Sequence, residues 1–304
     1  MALGADRDSL LTELVALASG EQGAATVRGE LAAAGKTAFV FPGQGSQWIG
    51  MGIEMLDASA AFAKSIAACE AALSEFVDWS LTDVLRGAPG APGYDRVDVV
   101  QPVLFAVMVS LAAVWRSVGV HPDAVIGHSQ GEIAAAHVAG ALPLRDAARI
   151  VALRSRMLVA LTGPAGMVSV AASAETVREL LAPYGDQLGV AVVNGPAAVV
   201  ISGDRGALSE FVQQAESTGM RTRWIDVDYA SHSAQVEVIR AELLDALADI
   251  APQRTRTAFF STVTGSLFDT ASLDADYWFR NIRQTVEFEQ AVRSAHAAGY
   301  RFFV

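Results

Sequence analysis

A single cysteine, Cys69, among 304 residues excludes an internal disulfide and any metal site built on several thiolates. A lone thiol of this kind reads as a small core residue, and a reducing cytoplasm is its expected setting. Positive charge is also scarce. The 22 Lys+Arg stand against 33 Asp+Glu, and a net charge of -11 repels nucleic acid and anionic membrane at long range. An anionic substrate therefore needs a local basic pocket. Long apolar runs are missing too: the longest, Pro102 to Trp115, contains Ser110, is too short for a bilayer and predicts a buried helix. The first residues include Asp6, Arg7 and Asp8, with no apolar stretch behind a basic start, so no secretory signal is expected.

What is present describes a well-packed chain, 52% hydrophobic and 18% charged, long enough for one large core with a sizeable insertion. Residues 1–36 hold a helix-like run through Leu10, Leu11, Leu14, Val15 and Leu17, stopped by Gly20, then an Ala-rich piece reaching Gly35. They read as a linker segment. Strand Thr37 to Phe41 enters a glycine-broken turn, Pro42 to Gln47. Strand Ala124 to Ile126 enters Gly127-His128-Ser129-Gln130-Gly131, and a helix starts at Glu132.

From Met167 the pattern shortens. It predicts strand Met167 to Ala172, helix Ala174 to Ala182, strands Val190 to Val193 and Ala198 to Ser202, helix Gly206 to Glu216 and strand Arg221 to Val227. This βαββαβ order is that of a ferredoxin-like unit. The expected organisation is an α/β chain whose large subdomain, residues 37–164 and 229–304, carries an inserted small subdomain, residues 165–228. Helices Ala234 to Ile250 and Thr285 to Ala298 flank strand Ala258 to Ser261. The last residues, Arg301 to Val304, form an apolar strand without a closing loop, as expected of a piece of something longer.

The turn Gly127-x-Ser129-x-Gly131 carries the strongest chemical signal. Small residues beside the serine permit a strained elbow that lifts its oxygen above the sheet edge, and the following backbone N–H points at the reacting carbonyl. The five-residue pattern alone arises by chance; the strand before it and the helix after it give it meaning. A serine nucleophile needs a base, and the chain has five histidines. His121 has no placement of its own, His128 lies inside the elbow, His137 in the elbow helix and His296 in a late surface helix. His232 remains, on the turn Tyr229 to Ser233 between a strand and a helix, with a plain loop histidine as the alternative.

On the helix from Arg145 to Leu158, Ala147, Ile150, Val151, Met157 and Leu158 share a face with Arg154, while Arg145, Arg149 and Arg156 lie opposite. Arg154 is therefore expected inside, where an unpaired guanidinium costs about 3–5 kcal/mol. It serves either an internal salt bridge or a two-pronged grip on a substrate carboxylate. In the turn Pro42 to Gln47, the glycines beside Gln44 let its backbone N–H approach a ligand, which makes it a candidate second oxyanion donor after Gln130.

Taken together, Phe41-Pro42-Gly43-Gln44-Gly45-Ser46-Gln47, Gly127-His128-Ser129-Gln130-Gly131-Glu132, Arg154 and Tyr229-Ala230-Ser231-His232 closely resemble the acyltransferase domains of modular polyketide synthases, over about residues 37–304. Those domains are similar in turn to malonyl-CoA:acyl carrier protein transacylases. The resemblance implies an α/β-hydrolase-like large subdomain with a ferredoxin-like small one. It implies Ser129 as nucleophile, His232 as base, Arg154 as clamp for the free carboxylate of the extender unit, and the Gln44 and Gln130 N–H groups as oxyanion hole. Asn281 and Gln284 match the segment that orients the histidine, so neither Asp226 nor Asp228 is expected to act as its acid.

Tyr229-Ala230-Ser231-His232, Arg96-Val97-Asp98-Val99-Val100-Gln101 and Gln130 resemble the methylmalonyl-selective set, where malonyl-selective domains carry His-Ala-Phe-His. A serine at 231 leaves room for an α-methyl group that phenylalanine would fill. One methyl is worth only about 1–3 kcal/mol, so malonyl or ethylmalonyl use stays open. The implied substrates are acyl-CoA and a phosphopantetheinylated acyl carrier protein, with a neighbouring ketosynthase domain and no metal or redox cofactor. A serine thioesterase or lipase using the same elbow is the rival enzyme; a neutral acyl chain gives it no use for Arg154.

Overall fold

The computed structural model describes every residue except 28, 30–33, 162 and 228. Its contacts divide the chain into two units, Met1–Gly35 and Lys36–Val304. In the first, helix α1 (Arg7–Ser19) starts at a reciprocal cap, in which the Asp6 carboxylate accepts from Ser9 N–H and the Ser9 hydroxyl accepts from Asp6 N–H. It ends at Gly20 in a left-handed conformation. No residue of α1 is buried, and Ala2 bridges Thr26.

The second unit opens with β1 (Lys36–Phe41), then α2 (Ile53–Ala58), α3 (Ala60–Leu73), α4 (Leu81–Arg86) and α5 (Val97–Ser117). Next come β2 (Ala124–Gly127), α6 (Gly131–Ala139) and α7 (Leu144–Val159). The inserted part follows: β3 (Ala165–Val170), α8 (Ala174–Leu181), β4 (Leu188–Gly195), β5 (Ala198–Asp204), α9 (Arg205–Ser217) and β6 (Thr222–Ile225). After a 3₁₀ turn at Ala234–Ile239, the chain finishes with α10 (Arg240–Ala246), β7 (Ala258–Ser261), β8 (Ser266–Phe268), α11 (Ala275–Arg283), α12 (Phe288–Ala297) and β9 (Tyr300–Phe303).

The large sheet runs β8-β7-β2-β1-β9, parallel except for the edge strand β8. Phe39, Phe41, Val125 and Phe259 bury one face against the main core, and Ala38, Ala124, Ile126 and Phe260 bury the other against α12. Burial on both faces is what a parallel sheet needs, and it explains the unbroken apolar runs Ala38–Phe41, Ala124–Ile126 and Ala258–Phe260. α5 is longer than its apolar stretch suggests and is apolar enough to cross a membrane, but most of it is packed inside this core. Cys69 is fully buried beside it, and burial pushes its thiol up to about 12.

The small sheet is antiparallel in the order β4-β5-β3-β6, the strand arrangement of a ferredoxin-like unit. The expected α/β fold class with this inserted unit is therefore the observed one. Alternation divides the strands: Val168, Val170, Val199 and Ile201 face α8 and α9, while Met167, Val192 and Val200 face the large part of the unit.

Two predicted helices differ. Ala234 to Ile250 is a 3₁₀ turn followed by the short α10; its buried residues Val236, Ile239, Leu243, Leu247 and Ile250 are spaced three and four apart, a pattern both helix types satisfy. The helix expected from Thr285 begins only at Phe288, because Thr285 and Val286 pair with β4 and Glu287 N–H donates to Thr262 O instead. Val286 N–H donates to Ala191 O and its carbonyl accepts from Val193 N–H, both at 2.9 Å, and the Thr285 hydroxyl donates to Val190 O at 2.7 Å.

Candidate active site

The carboxyl ends of β1 and β2 open into a cleft of about 880 Å³ between the two sheets. In an open α/β sheet this is where ligands bind. Ser129, in the turn between β2 and α6, has φ 52°, a left-handed backbone rarely adopted by a residue with a side chain. Both flanking glycines are required by contact: a Cβ on Gly127 would strike the Glu132 backbone, and one on Gly131 the Phe41 and Pro42 carbonyls. The elbow is thus wedged against the loop after β1.

His232 also has a left-handed backbone, φ 57°, and its Nε2 lies 2.9 Å from Ser129 Oγ. Its Nδ1–H donates to the Gln284 carbonyl at 2.8 Å, and its backbone N–H donates to Ile282 O. This bond fixes the tautomer, leaving Nε2 free to accept the serine proton. Burial holds the imidazole far below its usual range, at about 3, with the charge of Arg154 adding to the effect and the Gln284 bond opposing it. The base is neutral at physiological pH. Asp226 lines the cleft without a hydrogen bond to His232, and Asp228 lies outside the described residues.

Gln284 acts through its backbone carbonyl. The expectation for Asn281 needs correction: its amide reaches Arg154, Glu132 and the Ser129 carbonyl, not the histidine. The reason is positional. Asn281 sits inside α11 and faces the elbow helix, whereas Gln284, just past the end of α11, meets the His232 ring.

Arg154 is 1% exposed and lines the cleft from α7, while Arg145 and Arg149 pair with Glu75 and Asp249 on the opposite face and Arg156 is exposed. Among the described residues no carboxylate pairs with Arg154: one Nη1 bond of 2.7 Å to Asn281 Oδ1 is made, and Nε has no partner. The salt-bridge alternative therefore lapses. Burial pulls the guanidinium down to about 10, with Tyr229 and then Glu132 opposing that shift, so it remains a cation. Its Nε is one of several unsatisfied buried atoms on the cleft wall, with the whole Gln130 amide and Gln101 Oε1. A polar ligand group is the natural partner for such a set.

The backbone N–H groups of Gln44 and Gln130 make no hydrogen bond among the described residues, and both residues line the cleft. The Gln44 side chain is held by Tyr229 OH at 2.7 Å and Gln101 Nε2 at 3.1 Å. Tyr229 and Ser231 line the cleft, the latter against Met167 Sδ, and Ala230 is buried without doing so. Of the segment Arg96 to Gln101, only Gln101 reaches the site; Arg96 pairs with Asp98 at the surface.

Two groups escaped sequence reasoning. His128, placed by the sequence only inside the elbow, lines the cleft, bonded through Nε2 to Asn194 of β4 at 2.9 Å. Glu132 is completely buried and accepts from Thr262 N–H, Thr262 Oγ1, Tyr277 OH and Asn281 Nδ2. Burial lifts its carboxyl to about 7 while those donors pull it back. A lone carboxylate in the Ala-rich elbow helix was the available signal.

Residues 38–304 match the family described as acyl transferase domain. The chain is 66% identical over 302 residues to the mycoketide-CoA synthase of Mycobacterium tuberculosis, covering 99% of this chain and 7% of that protein. The fold matches the acyltransferase domain from module 8 of the salinomycin polyketide synthase with TM-score 0.94 and 56% identity, over 99% of this chain and 72% of that one. It matches a loading acyltransferase from the avermectin modular polyketide synthase with TM-score 0.85 and 51% identity, over 88% and 85%. The chain thus spans a small part of the curated synthase and most of the solved domains.

Proposed function

The chain belongs to the acyl transferase domain family, and from that membership we propose that it loads an extender unit carrying a free carboxylate, methylmalonyl, from its CoA thioester onto Ser129. It then passes the unit to the phosphopantetheine thiol of an acyl carrier protein within a modular polyketide synthase, next to a ketosynthase domain. The observation that carries this reading is a serine–histidine contact of 2.9 Å in the same cleft as a buried, unneutralised Arg154.

In the first half-reaction Ser129 Oγ attacks the thioester carbonyl as His232 Nε2 takes its proton. The oxyanion is held by the N–H groups of Gln44 and Gln130. The C–S bond breaks, and the departing sulfur takes the proton from His232. In the second half the carrier's thiol gives its proton to His232 and attacks the acyl-serine, and the proton returns to Ser129 as the ester C–O bond breaks. The kinetics are ping-pong. Both thioesters are substrates, and no metal or redox group takes part.

Arg154 grips the carboxylate through donors left open on the cleft side, helped by the Gln130 amide. Ser231 leaves space for the α-methyl. Tyr229 holds Gln44 and so shapes the oxyanion loop. The buried, inert Cys69 suits a reducing cytoplasm.

The test is intact-protein mass spectrometry after brief incubation with equal malonyl-CoA, methylmalonyl-CoA and ethylmalonyl-CoA, with Ser129→Ala alongside. The expected result is a predominant methylmalonyl adduct, absent from the variant. A malonyl or ethylmalonyl adduct keeps the transferase and overturns the selectivity. Release of free CoA with no lasting adduct points to a thioesterase.

A further inference from the structure

We propose that Glu132 is a positioning residue: with the Ser129 carbonyl, its carboxyl holds the NH₂ group of Asn281 toward the elbow, and so presents an oxygen rather than an NH₂ group to Arg154. This deepens the reading of Arg154 as a carboxylate clamp and rests on it.

The argument is one of donor and acceptor counting. An ionised carboxylate only accepts hydrogen bonds and a guanidinium only donates them. Asn281 lies between the two, with Nδ2 2.8 Å from Glu132 Oε2 and Oδ1 2.7 Å from Arg154 Nη1. An amide can be turned over without changing its shape, so only its neighbours select the orientation. Here both select the same one, and so does the Ser129 carbonyl, 3.1 Å from Nδ2. Turned over, the amide would set oxygen against oxygen at Glu132 and two donors against each other at Arg154.

Glu132 keeps an acceptor toward Asn281 in either protonation state, because a proton on the carboxyl can be given to the Tyr277 or Thr262 hydroxyl, each of which can accept it. Thr262 N–H, which can only donate, lies 2.5 Å from Oε1, with Thr262 Oγ1 at 3.0 Å. Tyr277 OH lies 2.7 Å from Oε2 and is itself held by Ser261 Oγ at 2.8 Å. The carboxylate is thereby pinned to β7, α11 and the elbow helix at once. The Asn281 Nδ2 also reaches the Ser129 carbonyl at 3.1 Å, so one amide fixes the backbone of the nucleophile and the side chain of the clamp.

The intervening amide has a chemical advantage over a direct ion pair. A Glu132–Arg154 pair would neutralise the cation internally and compete with an incoming carboxylate. A neutral amide holds Nη1 in place and leaves the charge, and the unpartnered Nε, to the substrate.

The test compares methylmalonyl-CoA and propionyl-CoA, which share a thioester and a methyl group on the α-carbon but differ in the carboxylate. Both are offered together, and the ratio of the two Ser129 adducts is read by intact mass. Because both adducts form in the same sample, the ratio does not depend on how much protein is folded. In Glu132→Gln the NH₂ group must clash with one of its donors or turn Asn281 over, and the methylmalonyl-to-propionyl ratio should fall roughly ten- to hundredfold. Asn281→Leu, which removes the relay without adding charge, should do the same. Should both variants keep the wild-type ratio within about twofold, or lose the two adducts in equal proportion, Glu132 is a structural residue only and the proposal fails. Arg154→Ala is the separate control: an unchanged ratio there removes the clamp itself.

Discussion

Ser129 and His232 meet at 2.9 Å although each occupies a backbone conformation that disfavours its own side chain, with φ 52° and 57°. Two strained residues in contact, each held by its surroundings, mark a site where the fold enforces a geometry that local preference resists. Removing the contact should leave the fold and stop the chemistry. His232→Gln should lower acyl loading by about 10²–10⁴-fold, measured as the rate of adduct formation on Ser129. Unchanged loading would mean that another group takes the proton.

The pH dependence of that base follows from its burial. His232 is held at about 3, with Arg154 the second cause after desolvation, so kcat/KM for loading should show no acid limb near 6.5. Removing the cation lifts part of the depression. In Arg154→Ala the acid limb, read with propionyl-CoA, which does not need the clamp, should move toward neutral pH. An unmoved limb would mean that Arg154 does not act on the base.

Stability should carry two opposing pH dependences. The folded state holds His232 well below its unfolded value near 6.5, so the unfolded chain binds the extra proton and stability falls as pH drops from 6.5 toward 3. Glu132 behaves oppositely. Its folded value, about 7, lies above the unfolded 4.5, so its contribution is complete below 4.5 and is lost as pH rises toward 7. Plots of Tm against pH between 4.5 and 6.5 should therefore change slope in opposite senses for His232→Gln and Glu132→Gln. A change of the same sign in both would refute this assignment.

Ser231 faces the cleft beside Met167. Ser231→Phe should shift competition from methylmalonyl toward malonyl by about 10–200-fold, the worth of one methyl group. Equal loss of both extender units would instead indicate a blocked cleft.

At Gly131 the close approach of Phe41 and Pro42 leaves no room for a side chain. Gly131→Ala should lower Tm by an amount equivalent to about 1–3 kcal/mol, the usual cost of overpacking. An unchanged Tm would mean that the elbow and the loop after β1 separate easily.

Much of this site was legible because its signals are local. The strand, glycine-flanked serine and helix are contiguous, and Arg154 interrupts an apolar stripe whose spacing alone places it inside. His232 was found by elimination among five histidines. The rest depends on contacts across the chain. Glu132 and Asn281 are separated by 149 positions, and His128 turns toward Asn194 across 66. Nothing in the periodicity of either segment encodes such a meeting. The helix predicted from Thr285 failed for the same reason, since its first residues are drawn into pairing with β4 by tertiary contact.

That pairing ties two functions to one short stretch of backbone. Gln284 O holds the base, and two residues later Val286 is stitched to β4, whose Val192 and Asn194 form the far wall of the cleft. The β4 wall of the cleft and the carbonyl that aims the imidazole are therefore links of one strap, so a change of packing at Val192 is expected to register at the His232 ring.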